Sequence, residues 1–329
     1  MKIFYNIILL LFLIPLSASA QFYVTGDDPG KLRWSYIETD HFKIIYPRGT
    51  ADTLAREYGT KLERMRVPLS RTSGYLPSGG FGKKMNVVLH AYNGANGSVA
   101  WAPSRMDMFT LPSAYEPDPI PWSTQLAIHE GRHVTQMQFG MTKAMKPGNY
   151  IFGQMWNIAV TLLYPGIAFM EGDAVVAETA YSPSGRGRIS DFLNYYRVAF
   201  DQGLERSWQQ WRFPSQRNYS PTYYALGYMT VGGFRYLYDH PYFMSDGLHM
   251  VSSHPGKLGC LYDISKEVSG KKWEGMWQEV SRSMYGIWKA DADKRAPYIP
   301  SERVLPESRR YTDYTDNLVI GKDLYTEKY

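Results

Sequence analysis

The spacing of apolar positions changes rhythm along the chain. In the first third it alternates: Phe42, Ile44 and Tyr46 share one face of a short strand over 42–46, and 34–37 reads as another. Residues 85–90 (Met-Asn-Val-Val-Leu-His) are the strongest strand signal, and Asn93-Gly94-Ala95-Asn96-Gly97 after them is a turn. Residues 98–110 look extended but are interrupted by Pro103, as an edge strand tolerates. Between the strands, Leu54, Tyr58, Leu62 and Met65 recur at helical spacing. Thr50 stands where a cap for that helix belongs, and Pro68 marks its end.

From Trp122 the period becomes helical. Leu126, Ile128, His133 and Met137 belong to one helix, and a linker holding Pro147-Gly148 leads to an apolar helix over 151–163. Pro165-Gly166 introduces a further helix over 167–180. Ser184-Gly185-Arg186-Gly187-Arg188 reads as a loop, and helices follow over 192–200, 223–238 and 273–288. A mixed N-terminal sheet with helices, then a mainly helical part, is an α+β arrangement, and it contains no internal repeat. The tail differs: 300–306 is a linker, and 310–314 and 318–325 look like strands. Two strands make no stable sheet alone. They pack on the main domain or open a second, β-rich domain, and the abrupt break in pattern favours the second.

Residues 1–20 carry Lys2, an apolar run over 7–14 and the ending Ala18-Ser19-Ala20, the layout of a cleavable export signal. The run is too short for a spanning helix, which needs ~20 apolar residues. Cleavage leaves about 309 residues from Gln21, enough for one large domain or two modest ones. The expected location is the periplasm or the cell surface, with no later segment apolar for long enough to cross a bilayer. Loss of Lys2 lowers the formal charge from +5 to +4, and no basic run is dense enough for a nucleic-acid surface. Cys260 is the single cysteine, so an internal disulfide and a cysteine-based metal site are both excluded. The 27 Tyr and 9 Trp suit an aromatic core or a sugar- or peptide-binding surface, and composition does not separate these.

His129-Glu130-Gly131-Arg132-His133 carries the candidate chemistry. Residues four apart on a helix share a face, so both imidazoles can bind one metal ion with Glu130 beside them to handle a proton. Gly131 weakens the helix by ~1 kcal/mol relative to Ala. Arg132 leaves the helix on a different face from the histidines. The strongest support is Glu171, a carboxylate inside an apolar helix, where an unpaired charge is costly and a metal ion answers it. The bland reading is a salt bridge to an arginine. Two histidines and a glutamate leave a fourth position open, as in a catalytic rather than a structural zinc site. Glu178 lies two turns along the same face and can orient a ligand histidine. His90, His249 and His254 have no partner at a useful spacing.

With these motifs the chain resembles the gluzincin metallopeptidases. More narrowly it resembles exported zincin-like proteins whose peptidase domain precedes a TolB-like β-propeller. The resemblance covers roughly residues 34–288. It rests on His129-Glu130-Gly131-Arg132-His133-Val134, Glu171-Gly172-Asp173-Ala174-Val175, Ser184-Gly185-Arg186-Gly187-Arg188 and Tyr223-Tyr224-Ala225-Leu226-Gly227-Tyr228. It implies a zincin-like fold, with residues 21–299 as the peptidase domain and 300–329 as a linker and the start of a propeller. It also implies His129, His133 and Glu171 as zinc ligands and Glu130 as the base. Two features depart from the pattern: 37 residues separate His133 from Glu171, more than in the best-known gluzincins, and Val175 stands where an acid follows the ligand. An orienting role then falls to Asp173 or Glu178.

The expected reaction is peptide hydrolysis by a zinc-activated water, with Glu130 as general base and Tyr224 or Tyr228 stabilising the oxyanion. In so tyrosine-rich a chain each tyrosine is also an ordinary core or surface residue. Arg186 and Arg188 are candidates to hold a substrate carboxylate, or two arginines that keep a loop solvated. Residues 99–102 can pair with a peptide or protein substrate as an added strand. The alternative is a catalytically degenerate zincin domain acting as a binding or scaffold module beside a propeller. A polysaccharide-binding protein suits the aromatic content but leaves Glu171 unexplained.

Overall fold

The computed structural model describes residues 28–79, 83–94, 97–101, 104–112, 120–163, 166–215, 217–257, 259–300, 302, 304–305 and 314–328. The expected export signal over 1–20 lies outside these, as does most of the strand expected over 310–314. Alternation in the N-terminal part does form strands. In β1 (Trp34–Glu38) and β2 (Phe42–Pro47) every second residue turns inward, which buries Phe42, Ile44 and Tyr46. β3 (Met85–Gly94) runs further than 85–90 and takes in part of the expected turn, with an irregular register between His90 and Gly94.

The extended run over 98–110 is two strands, β4 (Ser98–Trp101) and β5 (Ser104–Leu111), paired antiparallel. The chain thus reverses between Trp101 and Ser104 instead of continuing as a single strand. The five-stranded sheet has the order β1-β2-β3-β5-β4, with β2, β3 and β5 mutually parallel and both outer strands antiparallel to their neighbours. β4 is the terminal strand.

α1 (Asp52–Ser70) joins β2 to β3. Ala51, not Thr50, stands at its cap, with no side-chain cap bond, while the Tyr46 hydroxyl donates to Asp52 Oδ1 at 2.6 Å. The helix passes through Pro68 because the loss of one N–H in the last turn is offset by burial of Leu69. α2 (Trp122–Met137) follows the sheet. Pro147-Gly148 lie inside a short helix, α3 (Lys146–Phe152), with Pro147 in the first turn where its missing N–H has no partner to lose. Gly153, at φ +59°, divides the helix expected over 151–163 and leaves α4 as Met155–Leu163.

α5 (Ile167–Tyr181), α6 (Asn194–Asp201), α8 (Tyr223–Leu237) and α11 (Trp273–Arg295) correspond to expected helices. The structure adds α7 (Trp208–Arg212), α9 (Phe243–Ser253) and α10 (Cys260–Ser269). In the tail, β6 (Tyr314–Ile320) and β7 (Asp323–Lys328) form an antiparallel hairpin. The strand expected over 318–325 therefore turns back on itself, at Gly321 with φ +62°.

Two large apolar cores result, with a small cluster of Leu69, Ile128 and Ala177 where α1, α2 and α5 meet. One lies between the sheet and α1 and α2, around Ile44, Tyr58, Leu62, Val87 and Met106. The other fills the helical part, around Trp208, Trp211, Phe234, Leu248 and Trp277. α2 and α5 stand at the seam. Leu126 and Val134 of α2 and Met170 of α5 belong to the first core, whereas Phe169 and Val176 of α5 belong to the second. α5 crosses α8 backbone to backbone, since a Cβ on Gly227 would lie 1.8 Å from the Ala168 carbonyl oxygen.

Candidate metal centre

Nothing local stabilises α2 strongly: Pro121 at its cap makes no side-chain cap bond, and the first turn has no acid. Packing holds it instead, and Gln125–Met137 are buried without a break. Gly131, a weak helix former, is where α1 comes closest; a Cβ there would lie 2.7 Å from Leu69 Cδ1. Arg132 does leave the helix away from the histidines, and it is sealed inside the protein. Its Nε and Nη2 donate to Asp173 at 2.6 and 2.9 Å, and its Nη1 donates to the Leu69 carbonyl. This forked pair ties α2 to α5 and to the end of α1.

On the opposite side of α2, His129 and His133 meet Glu171 of α5. His129 Nε2, His133 Nε2 and Glu171 Oε2 form a triangle with three edges of 3.1 Å. All three residues are buried and form a group able to hold a metal ion. Three tetrahedral ligand atoms at ~2.0–2.1 Å from zinc stand about 3.4 Å apart, so a few tenths of an ångström of spreading would suffice. Two imidazole nitrogens and a carboxylate oxygen are donors that zinc accepts.

Each histidine is oriented from behind. His129 Nδ1 lies 2.6 Å from Glu178 Oε1, and Arg186 donates to Glu178 through Nε at 2.9 Å and through Nη2. Arg186 Nη2 is also 2.9 Å from His129 Nδ1. That nitrogen cannot donate to Glu178 and accept from Arg186 at once. The ionised Glu178 carboxylate can only accept, so it takes the Nδ1 N–H, and Nε2 is the nitrogen left to turn a lone pair to the triangle when a metal ion replaces its proton. His133 Nδ1 lies 2.8 Å from Gln136 Oε1, and Gln136 Nε2 donates to the Met170 carbonyl at 2.9 Å and to Asp173 Oδ2 at 2.7 Å. Two acceptors at the amide nitrogen fix the amide orientation, so Oε1 receives the N–H of His133.

The electrostatics follow. Burial opposes charge on His129, but its bonds to Glu171 and Glu178 outweigh this and raise its pKa to about 10. Burial would raise the pKa of Glu171, yet His133 and His129 hold it well below the usual carboxylate range. Glu178 is lowered to about 2 against its burial, by Arg186 and His129. The pair of glutamates thus demands positive charge in the cluster, which a proton or a metal ion can supply. Glu130 shifts the other way, raised by burial and by the charge of Glu171 against the pull of the two histidines. Its Oε2 is buried with no hydrogen-bond partner among the described residues. Gly97, just ahead of β4, lets the chain pass close to it: a Cβ there would lie 2.8 Å from Glu130 Oε1.

No protein-family model matches the chain, and no curated protein does. Among solved structures it is similar to the crystal structure of an aminopeptidase N family protein from Idiomarina loihiensis. The identity is 13% and the TM-score 0.37, over 76% of this chain and 46% of that one. The chain thus spans less than half the length of that protein, and the likeness is too distant to show a family.

The other residues singled out in the sequence fall in different places. Tyr224 stacks on His129, with ring centroids 6.3 Å apart, and carries the Arg186 guanidinium 5.2 Å above its ring. Burial and the nearby Glu171 push its phenol far up, so it keeps its proton. Tyr228 packs elsewhere, against Phe192 and Gly187, with Thr179 bonded to its hydroxyl. Arg186 stands in a short 3₁₀ turn, 186–188, and its guanidinium is committed to Glu178. Arg188 is exposed and donates to the Thr179 carbonyl. Asp173 reaches His133 only through Gln136. The sequence reading passed over Gln136, whose one signal was its position three residues after His133 on the same helix face.

Proposed function

We propose that this chain is an exported, zinc-dependent peptidase of gluzincin type. What carries the reading is the convergence of His129 Nε2, His133 Nε2 and Glu171 Oε2 beside the buried, unpartnered Oε2 of Glu130. His129, His133 and Glu171 would hold the ion, which supplies Lewis acidity at neutral pH. Glu130 takes a proton from the attacking water and passes it to the departing amine nitrogen. Tyr224, which stays protonated, donates a hydrogen bond to the substrate carbonyl oxygen as that oxygen gains charge. Terminal strand β4 offers backbone groups to an extended peptide. Arg188, exposed in the turn that carries Arg186, is the candidate to meet a substrate carboxylate. Residues 1–20 act as the export signal, 21–299 as the peptidase unit and 300–329 as the linker and start of a β-rich unit. No helix of the described residues is long and apolar enough to cross a membrane.

Metal analysis of the wild type and Glu171→Ala, purified without chelator, tests the ligand set. About one zinc per wild-type chain and a large loss in the variant are expected; equal metal content would remove Glu171 as a ligand. Glu130→Gln is expected to keep the metal and lose cleavage across a broad peptide library. A wild type that holds zinc and cleaves no peptide would overturn the peptidase assignment and leave a metal-binding module.

A further inference from the structure

The 37 residues between His133 and Glu171 contain Lys143 and Lys146 and no Asp or Glu. They build the α3–α4 hairpin, which is fixed at its base. Asn157 Nδ2 donates to the Met137 carbonyl at 3.0 Å, and Asn149 Nδ2 donates to the Gly140 carbonyl. Its flank is bonded to the sheet: the Ser104 amide donates to Gln154 Oε1 at 3.0 Å, and Gln154 Nε2 donates to Ser104 Oγ. So anchored, the hairpin carries large apolar side chains out into solvent. Tyr150 is 93% exposed, Ile151 70%, Phe152 51% and Met155 43%.

Four such residues side by side form a contiguous apolar tip, which a free surface rarely shows without a partner. The chemistry around the tip selects that partner. Thr142, Asn149, Gln154 and Asn157 all direct hydrogen bonds inward, so the tip offers carbon surface, one phenol and two nearby ammonium groups. A protein partner is ordinarily gripped through hydrogen bonds around an apolar centre. A bilayer needs none: its acyl boundary takes the apolar side chains, its headgroup layer suits tyrosine, and its anionic phosphates attract lysine. We propose that the α3–α4 hairpin is an interfacial anchor that seats its tip in the headgroup region of a bilayer containing anionic lipid. Through Gln154 and Ser104 the anchor is bonded to the β4–β5 hairpin, whose far end passes Glu130. Binding therefore ties the lipid-facing element to the strand pair whose other end lies against Glu130.

The test is cosedimentation of the purified chain with unilamellar vesicles of phosphatidylcholine and phosphatidylglycerol at about 3:1, and of phosphatidylcholine alone. It compares the wild type with Ile151→Glu/Phe152→Glu and with Lys143→Glu/Lys146→Glu. Since all share one N-terminus, a difference between them belongs to the hairpin. The wild type is expected to favour the anionic vesicles, with at least tenfold weaker partitioning in the apolar variant and a clear loss in the lysine variant and at high salt. Equal partitioning of the wild type and the apolar variant, or no wild-type binding, would overturn the anchor. So would a dimer in sedimentation velocity that the apolar variant dissolves while neither protein binds vesicles, which would assign the tip to a contact between copies. Should the apolar variant melt early, Phe152→Cys carrying an environment-sensitive dye reads insertion directly, because Cys260 is buried. A blue shift with anionic vesicles is expected, and an unchanged spectrum would overturn the anchor.

Discussion

Gln136 does for His133 what Glu178 does for His129, using an amide in place of a carboxylate. Its Oε1 holds the Nδ1–H of His133, and its Nε2 is held by Asp173 and the Met170 carbonyl. Removing such a partner typically weakens metal binding by ~10–100-fold. Gln136→Leu should therefore lower zinc affinity within that range, read by competition with a chromophoric chelator; unchanged affinity would reduce Gln136 to a packing residue. His90 shows a different kind of residue-scale design. Its ring nitrogens meet Asp28 at 2.6 Å and Asp107 at 3.2 Å, and Arg105 also bonds Asp107. Burial opposes its charge, yet the two carboxylates raise its pKa above the ordinary 6.5. A raised folded value means that the stabilisation is complete below pH 6.5 and fades as pH climbs through that value. Thermal unfolding should thus lose stability above pH 6.5, and His90→Gln should lack this component; parallel pH profiles would exclude it. The metal pair was legible because helical spacing alone places it. His90 was not, since Asp28 lies 62 residues away in sequence. Arg132 was legible only as an awkward charge, because its partner Asp173 comes from another helix.

At the scale of elements, the strands and longer helices were readable wherever burial follows one period. β1 keeps a single rhythm from end to end, and β2 keeps it as far as Tyr46. The reading failed where chain reversals decide the outcome, between Trp101 and Ser104, at Gly153 and at Gly321. It also missed α9 and α10, short helices of 11 and 10 residues that owe their order to contact with neighbours rather than to propensity. The junction of α5 and α8 explains why two glycines sit within the motif segments. Gly172 and Gly227 face each other, and a Cβ on Gly172 would lie 2.1 Å from the Gly227 carbonyl carbon. Backbone cannot yield as a side chain does, so Gly227→Ala should cost about 3 kcal/mol or more, at or above the usual range for overpacking. Denaturant unfolding checks this. A change below ~0.5 kcal/mol, the scale of an ordinary surface substitution, would show that the helices slide apart freely.

For the whole molecule, α5 joins the two large cores, and the candidate ligands are built where it packs on α2. The sequence showed an α+β chain with strands first and helices after, and this follows from periodicity. It did not show the seam, which depends on which helix faces which layer. The β6–β7 hairpin stands apart in character, with Leu318, Val319, Ile320, Leu324 and Tyr325 all exposed. The unbroken burial of Gln125–Met137 has a consequence that concerns time rather than geometry. Amides there are shielded by the sheet-side core and by the flanking helices α1 and α5, so deuterium should enter them only when the entire fold opens. At the α3–α4 tip, small local openings should admit it far sooner. Mass-resolved exchange of the metal-free protein is expected to show slow, all-at-once labelling of 125–137 and fast labelling of 150–155. Comparable rates would mean that α2 loosens on its own. Slow labelling would make the ligand helix a clock for the lifetime of the whole native state.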